Sequence, residues 1–265
     1  MKVAIYSRDD DPLLGSLLDA VSEAGIEYSL NPLSTRGLDL ALSFGGDGTF
    51  LGSVRRMGPD AVPVLGINSG RLGFLANVTR DEVAGVLGEL KRGEYAVQHR
   101  LMLEIEGDIP RDDGSNIAVN EFALQKVGTS MISVDIEIDG QPMANYWADG
   151  VIVSTPTGST AYSMSVGGAI LTPGCRCFII SPIAPHNLNI RPLVVPDTSR
   201  MNITGRSRKG EQVIATVDNL EFRLESGAAF ELVASRSTLK IVQLAGSSFY
   251  QTLRNKLFWG VDVRN

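Results

Sequence analysis

The sequence predicts an α/β N-terminal domain with a mostly parallel sheet, followed by a mostly β, sandwich-like domain and a closing C-terminal helix. A change of hydrophobic periodicity carries this prediction, because strand and helix patterns alternate up to about residue 95 and a period of two dominates afterwards. Near the end, apolar residues recur every four positions from Phe249 to Leu257, which is typical of a helix. The predicted boundaries are residues 1–95, 96–245 and 246–265, with the last segment packing back on the first domain.

The first domain begins with an apolar run and an amphipathic helix. Apolar residues between Leu14 and Val21 follow the i, i+3, i+4, i+7 spacing of one buried helix face. Thr79 and Glu82 have the spacing of a capping box before another such helix, and Gly93 ends it. Apolar runs predict strands at residues 3–6, 40–44 and 62–67. Strands that alternate with helices indicate βαβ crossovers and therefore a parallel sheet covered on both faces.

The second domain is marked by short strand patterns. Residues 132–138 alternate apolar and polar side chains up to the turn at Asp139-Gly140, which predicts a half-buried strand. Residues 101–105 behave similarly. Further strands are predicted at residues 117–124, 178–180, 213–217, 230–233 and 239–243.

Composition excludes several classes of protein. The chain has 24 Lys and Arg against 30 Asp and Glu, a net charge of −6, so we expect no nucleic-acid partner. Its first residues lack the apolar core of about 7 to 15 residues of a signal peptide, so we expect a cytoplasmic protein. Residues 150–175 are uncharged but rich in Gly, Ser, Thr and Pro, so we expect no membrane span.

A glycine-rich turn, Gly45-Gly46-Asp47-Gly48-Thr49, follows the predicted strand 40–44 and precedes a helical segment, residues 50–57. Ligands of α/β sheets bind at this position, because free amides at the helix N-terminus attract anions and glycines let the backbone approach phosphates. A carboxylate in such a loop indicates a nearby metal ion or a hydroxyl whose proton it accepts. The alternative is an Asp-Gly turn in which Asp47 caps the helix.

Residues 150–190 contain a single charged residue, Arg176. Such a hydroxyl-rich, uncharged chain suits contact with a polar neutral ligand such as a ribose, and the alternative is a buried strand with a capped helix. Asn120-Glu121 interrupts an apolar run and is either a ribose clamp or a strand bulge. Arg71 is either a phosphate ligand or an ion-pair partner. The only histidines, His99 and His186, are too isolated for a zinc site, and we predict no metal bound by protein side chains.

Taken together, the motifs resemble those of ATP-dependent NAD kinases over nearly the whole chain. The G-G-D-G element alone is weakly specific, whereas Thr-Pro-Thr-Gly-Ser-Thr-Ala-Tyr at residues 155–162 after an Asp-Gly is far more specific. The other matching motifs are residues 66–75, Asn120-Glu121, Asp149-Gly150 and residues 181–186. The sequence departs from the family at Trp147, where a basic residue is frequent, and at Asp218-Asn219, where Asp-Gly is frequent.

The resemblance implies a role for each motif. Asp47 would be the general base for the 2′-hydroxyl of the adenosine ribose of NAD. The residues near the transferred phosphoryl group would be Gly46, Gly48 and Thr49, with Arg71 as a further binding residue. Those on the adenosine side would be Phe74, Asn120, Glu121, Thr160, Ala161 and Ser165. Those that contact the nicotinamide half, partly across a subunit interface, would be Asp149, Tyr162 and Ala184.

The implied activity is transfer of the terminal phosphoryl group of ATP, or of polyphosphate, to NAD to give NADP. Mg²⁺ or another divalent cation would be held mainly by the nucleotide phosphates, because a loose transition state needs charge neutralisation more than covalent help. The resemblance and the uncharged segment 150–190 both favour a homodimer or homotetramer. The alternatives are a lipid kinase of the diacylglycerol or sphingosine type and a non-catalytic NAD-binding module.

Overall fold

A computed structural model describes residues 1–58, 61–70, 73–110 and 114–260 of the chain. Two compact units are present, one formed by Met1–His99 with Leu239–Asn265 and the other by Arg100–Thr238. The first unit is therefore discontinuous in sequence, and the second is inserted into it. None of the helices in the described ranges has the length and apolar character needed to cross a membrane.

The strands of the described residues are, in chain order, β1 Lys2–Tyr6, β2 Glu27–Leu30, β3 Leu40–Phe44, β4 Val64–Ile67, β5 Ala76–Val78, β6 Tyr95–Arg100, β7 Leu103–Gly107, β8 Ile117–Ala118, β9 Glu121–Lys126, β10 Ile132–Ile138, β11 Gln141–Ala148, β12 Gly150–Ser154, β13 Cys177–Ile183, β14 Leu193–Pro196, β15 Met201–Ser207, β16 Val213–Val217, β17 Leu220–Leu224, β18 Ala229–Ala234 and β19 Leu239–Leu244. The α-helices are α1 Leu14–Glu23, α2 Asp47–Met57, α3 Val83–Arg92, α4 Tyr162–Ser165 and α5 Phe249–Leu257.

The first unit contains one sheet with the strand order β2-β1-β3-β4-β19-β6, and β5 also pairs with β4. Strands β1 and β2, β1 and β3, β3 and β4, β4 and β5, and β4 and β19 are parallel, which confirms the predicted mostly parallel sheet. Leu42 and Phe44 share a hydrophobic cluster with α1 and α3. Ser43, which lies between them and so faces the other side of the sheet, contacts Ser53 of α2 through its hydroxyl at 2.9 Å. Helices therefore cover both faces.

The predicted capping box at Thr79 and Glu82 is formed, and it caps a 3₁₀ turn, Arg80–Glu82, that leads directly into α3. In it the Thr79 N–H donates to the Glu82 carboxylate at 2.7 Å. Gly93 follows the helix with φ 71°, in the left-handed region that favours glycine. Helix α5 carries its own cap, because the Ser248 hydroxyl oxygen accepts a hydrogen bond from the Gln251 N–H at 3.1 Å. This closing helix belongs to the first unit.

The second unit consists of two antiparallel sheets, β11-β10-β15-β18-β7-β8 and β14-β13-β12-β9-β16-β17. One hydrophobic cluster draws side chains from both sheets. At its centre the rings of Phe122 on β9 and Phe230 on β18 pack with centroids 4.8 Å apart. The predicted sandwich-like, mostly β architecture is therefore confirmed.

Three predicted elements differ from the structure. Residues 239–243 were expected in the second domain, but β19 pairs with β4 through Ile241 and Val64, so the division falls after Thr238 and not at residue 245. A short apolar run does not itself specify which sheet it joins. The predicted strand 117–124 is interrupted between β8 and β9. Helix α2 starts at Asp47 and not at Phe50, so most of the glycine-rich turn belongs to the first helical turn.

Candidate functional site

The Asp47 carboxylate, at the first position of α2, accepts three consecutive backbone N–H groups. Its Oδ2 accepts from Phe74 at 2.9 Å, and its Oδ1 accepts from Leu75 and from Ala76, each at 3.0 Å. A carboxylate has about four acceptor positions, so one remains for a hydroxyl or a water. Asp47 therefore fixes the segment before β5 and can still accept one more proton donor.

Close approach of the backbone explains why glycines surround this carboxylate. A Cβ at Gly73 would lie 1.9 Å from Asp47 Oδ1, and a Cβ at Gly66 would lie 2.3 Å from the Leu75 carbonyl oxygen. Both positions therefore exclude any side chain. Gly46 and Gly48 differ, because both are exposed and a Cβ there would meet open space.

The N-terminus of α2 has no side-chain cap. Gly46 occupies the cap position, and the amides of the first helical turn include those of Gly48 and Thr49, where an anion is attracted by the unpaired N–H groups and the helix dipole. This arrangement suits the phosphates expected near these residues. Arg71, the predicted cationic ligand, lies outside the described residues.

Phe74, predicted on the adenosine side, is half-buried and carries a cation on its ring. The Lys256 ammonium nitrogen of α5 lies 4.7 Å from the ring centroid. Lys256 was not among the residues predicted from sequence, and its spacing along α5 alone does not distinguish it from an ordinary surface lysine.

In the second unit, Asp218 holds the predicted ribose clamp. Its Oδ2 accepts the Val119 N–H at 2.9 Å, and its Oδ1 accepts those of Asn120 and Glu121 at 2.7 and 3.1 Å. The Asp218 N–H in turn donates to the Glu121 carbonyl oxygen at 2.9 Å. Asn120 and Glu121 thus form an anchored irregularity at the start of β9. This geometry is compatible with both alternatives from the sequence, a strand bulge and a ribose clamp.

Glu121 is an unusual carboxyl group, because only 8% of its surface is exposed and its Oε2 has no hydrogen-bond partner among the described residues. Burial first, and then the negative charge of Asp218, raise the pKa of this carboxyl to about 8, although the backbone N–H of Tyr162 acts in the opposite direction. A buried acceptor without a donor is costly unless a ligand supplies one. The site is therefore prepared for a hydroxyl group.

The segment after β12 locks against the same clamp. The Thr155 hydroxyl donates to the Val119 carbonyl oxygen at 2.6 Å and accepts from the Gly158 N–H at 3.1 Å. A Cβ on Gly158 would lie only 2.2 Å from the Asn120 carbonyl oxygen. Thr157 follows the pattern of Glu121, since its buried Oγ1 has no partner among the described residues. In this hydroxyl-rich segment Thr155 thus fixes the backbone, whereas Thr157 adds to Glu121 a second buried oxygen, without a partner in the described ranges, as a candidate ligand contact.

Two of the remaining predicted residues, Asp149 and Tyr162, contact side chains at the far end of β9. Lys126 forms an ion pair with Asp149 at 2.7 Å. The Tyr162 hydroxyl donates to the Gln125 side chain at 3.1 Å, and burial, Asp149 and Glu121 all raise the Tyr162 pKa. Thr160 is buried and Ala161 half-buried, whereas Ser165 and Ala184 are exposed. Ala184 adopts φ 44°, which is uncommon for a residue with a side chain.

No protein metal site is evident in the described part of the chain, where no group of three or more His, Cys, Asp or Glu side chains is arranged to hold an ion. Cys175 and Cys177 are both free thiols.

Comparison with known proteins relates both units to one family. Residues 13–95 match the family model described as ATP-NAD kinase N-terminal domain, and residues 119–244 match the ATP-NAD kinase C-terminal domain. The NAD kinase of Cytophaga hutchinsonii is 42% identical over 228 residues, 86% of this chain and 78% of that protein. The NAD kinase of Bacteroides fragilis is 40% identical over 227 residues, 85% of this chain and 78% of that protein.

Solved structures give the same relation. The yeast NADH kinase, crystallised with NADH, has a TM-score of 0.87 and 25% identity, covering 99% of this chain and 89% of its own. An NAD kinase from Archaeoglobus fulgidus, in complex with ATP, shares the fold with a TM-score of 0.79, 24% identity and coverage of 97% of this chain and 98% of its own. The protein is thus a phosphotransferase of the kinase class. More narrowly, the chain belongs to the ATP-NAD kinase family.

Proposed function

We propose that this protein transfers the terminal phosphoryl group of ATP to the 2′-hydroxyl of the adenosine ribose of NAD, which gives NADP and ADP. The observation that carries this proposal is the buried Glu121 Oε2, which lacks a partner among the described residues. A ribose hydroxyl, which both donates and accepts, supplies a partner for this oxygen in either protonation state of the carboxyl. Family membership supports the same substrate, and the comparisons support neither a lipid kinase nor a non-catalytic NAD-binding module.

We assign Asp47 as the general base that accepts the proton of the attacking 2′-hydroxyl. In the transfer, the 2′-oxygen forms a bond to the γ-phosphorus, the bond from that phosphorus to the β-phosphate oxygen breaks, and the hydroxyl proton passes to Asp47 Oδ2. Only one acceptor position on this carboxylate remains beside its three backbone donors, so it orients the hydroxyl in a single direction. The free amides at the start of α2, around Gly46, Gly48 and Thr49, would bind the phosphoryl oxygens.

We further propose that Mg²⁺ accompanies the nucleotide. We expect the ATP phosphates to supply most of the ligands of this cation. When bound, such a cation neutralises phosphate charge. The ATP in the A. fulgidus structure supports ATP as donor, and polyphosphate remains to be tested beside it.

The adenosine and nicotinamide contacts stay predictions for individual residues. Asn120 and Glu121 are buried at the anchored start of β9, and the backbone N–H of Tyr162, the residue after Ala161, bonds to Glu121, which supports the adenosine assignment. Asp149, through its ion pair with Lys126, and the hydroxyl of Tyr162, through its bond to Gln125, lie near the other end of that strand, which is compatible with their assignment to the nicotinamide half.

A homodimer or homotetramer also remains a prediction. Much of segment 150–190 is buried core, including all of β12, so its lack of charge there follows from the sandwich itself. Two exposed apolar side chains lie near the end of this segment, Leu188 within it at 87% exposed and Val194 just after it at 47% exposed. We expect them in a subunit interface, and sedimentation equilibrium that shows a fully active monomer would exclude a shared active site. The cytoplasmic location expected from sequence also stays a prediction.

One assay tests the activity. The pure protein is incubated with Mg²⁺, NAD and either ATP or polyphosphate, and NADP is detected with an NADP-specific dehydrogenase. NADP in the ATP reaction is the expected result. If neither donor yields NADP, the proposed function is wrong.

A further inference from the structure

Asp218 occupies the turn between β16 and β17 in a conformation with φ 50°, which Asp and Asn adopt more readily than most residues. Val217 and Leu220 pair on either side of it, so the turn is a tight hairpin. This conformation directs the carboxylate toward the neighbouring strand start and leaves the Asp218 N–H bonded to the Glu121 carbonyl oxygen.

The three amides bonded by Asp218 lie where the strand pattern is interrupted. Val119 and Asn120 separate β8 from β9, and their N–H groups would lack a partner without this carboxylate or a water. Successive N–H groups that converge on one anion fix the backbone more firmly than a single bond. The direction in which the Asn120 and Glu121 side chains leave the chain therefore depends on Asp218.

The Asp218 carboxylate also acts on Glu121 through its charge. It is the second cause, after burial, that raises the pKa of the Glu121 carboxyl to about 8. Within the described ranges, the titratable groups that face Glu121 are Asp218 from the β16–β17 turn and Tyr162 from α4. Asp218 therefore fixes the position of the proposed ribose ligand and adds, after burial, to its proton affinity.

We propose that Asp218 is a positioning residue for NAD, which holds the backbone of Val119 to Glu121 so that Glu121 Oε2 meets a ribose hydroxyl. This inference rests on the proposed function, because it takes Glu121 as the ribose ligand. Asp218 itself contacts neither the substrate nor the reacting atoms in this assignment.

The test compares two variants of Asp218 with a matched control. Asp218→Asn keeps the turn conformation and removes the charge, and Asp218→Gly keeps the turn and removes every acceptor. The control is Asp139→Asn, since Asp139 also has a positive φ of 53° in a hairpin turn and accepts the Arg200 N–H at 2.8 Å. Each protein is measured by thermal melting, by calorimetric titration with NAD, and by steady-state kinetics with NAD and ATP.

We expect Asp218→Asn to weaken NAD binding and raise its KM about tenfold, as loss of charged hydrogen bonds does, with kcat and the KM for ATP within about twofold of wild type. Asp139→Asn should leave all of these unchanged. A merely structural role would not move the pH dependence. We expect NAD binding to strengthen as pH rises through about 8 in the wild type and at lower pH in Asp218→Asn.

The outcomes separate the two proposals. Wild-type NAD affinity and an unshifted pH midpoint in Asp218→Asn would overturn the positioning role and leave the kinase activity standing. NAD binding without NADP formation by the wild type would refute the kinase activity. The calorimetric titrations with NAD would still test the positioning role of Asp218. If Asp218→Gly does not fold, Asp218→Asn with a near wild-type melting temperature decides the matter. Equal increases in the KM for NAD and in the KM for ATP would indicate a general folding defect and count against the inference.

Discussion

Two aspartates, Asp47 in the first unit and Asp218 in the second, bind three consecutive backbone N–H groups in the same way. In each, Oδ2 accepts the first amide and Oδ1 accepts the next two. Their surroundings differ. Asp47 begins a helix whose free amides attract anions, whereas Asp218 lies in a hairpin turn beside a buried carboxyl group.

The difference shows that one bonding pattern serves two kinds of task. Around Asp47 the carboxylate is the candidate reactant, and the amides of Phe74, Leu75 and Ala76 hold it in place. Around Asp218 the carboxylate is the support, and the residue it supports, Glu121, is the candidate ligand. Loss of the first aspartate should therefore reduce turnover, and loss of the second should reduce affinity.

The largest effect is expected for Asp47→Asn, with kcat lowered about 10²- to 10⁴-fold because an amide cannot accept the hydroxyl proton. The KM for NAD should stay near the wild-type value. The melting temperature should also fall, because the new NH₂ group would face the Phe74 N–H. Steady-state kinetics at saturating substrates measure the effect.

The control for Asp47 is Asp11→Asn, since Asp11 also accepts a backbone N–H near a helix start, that of Leu13 at 3.0 Å. Its kcat should equal that of the wild type. Retention of more than about half of the wild-type kcat in Asp47→Asn would show that Asp47 only anchors the backbone, like Asp218.

Gly158→Ala should affect only the segment Val119 to Glu121 that Asp218 binds. The added methyl would lie 2.2 Å from the Asn120 carbonyl oxygen, so the anchored segment must shift, at a cost of about 1–3 kcal/mol in the free energy of unfolding. The KM for NAD should rise about tenfold with little change in kcat. Gly174→Ala is the matched control, because a Cβ there meets open space. An unchanged KM in Gly158→Ala would show that the position of Asn120 does not control NAD binding.

Glu121→Gln should raise the KM for NAD several-fold, about 1 kcal/mol, and leave the KM for ATP nearly constant. The difference in stability between this variant and the wild type should also change with pH. The wild-type carboxyl loses its proton near pH 4.5 when unfolded and near 8 when folded, so its contribution to stability is present below 4.5 and is lost as pH rises to about 8.

Gln does not titrate, so the melting temperature of Glu121→Gln should increase relative to wild type across that interval. Parallel melting curves from about pH 5 to 8 measure this. A constant difference in melting temperature between the two proteins would mean that Glu121 is ionised in the folded state. The pKa of Glu121 would then not be raised, and Asp218 would have no effect on it.

The smallest effect is expected for Thr157→Val. Because the buried Thr157 Oγ1 has no partner among the described residues, the nearly isosteric substitution should change the free energy of unfolding by less than about 1 kcal/mol. If the hydroxyl binds NAD, the KM for NAD rises while the melting temperature does not fall. A stability loss similar to that of Gly158→Ala would indicate that Thr157 belongs to the structural support and not to the ligand site.

Elements with strong periodicity were predictable from sequence, and those without it were not. Helices α1 and α3 and strand β10 follow their patterns closely, since burial of one face dictates the sequence. Strand β11 was not predicted, because it starts with exposed Gln141, Pro142 and Met143 and shows no alternation there. Strand β19 was predicted as a strand but in the wrong sheet, because the partner of a short apolar run depends on residues far along the chain.

Candidate site residues could be picked out from the sequence where they lie in a local motif. Asp47 and Asn120-Glu121 are marked by glycines or by polar residues in an apolar run. The resemblance marks Asp218-Asn219 as a position where the family frequently has Asp-Gly, but it does not predict what Asp218 binds, because its carboxylate and the amides it binds lie 97 to 99 residues apart in sequence. Only the fold brings such groups together, and the dipeptide by itself predicts no more than a turn.

The discontinuity of the first unit constrains the order of events on the ribosome. Strand β19 lies between β4 and β6, yet it leaves the ribosome only after the whole inserted unit Arg100–Thr238. The inserted unit is continuous and can complete its own hydrogen bonding first. Until residue 239 emerges, β5 covers the end of β4 but the edge at Val64 stays open, and open edges recruit other strands. We therefore expect that a ribosome stalled before this residue leaves the N-terminal half in need of chaperone protection.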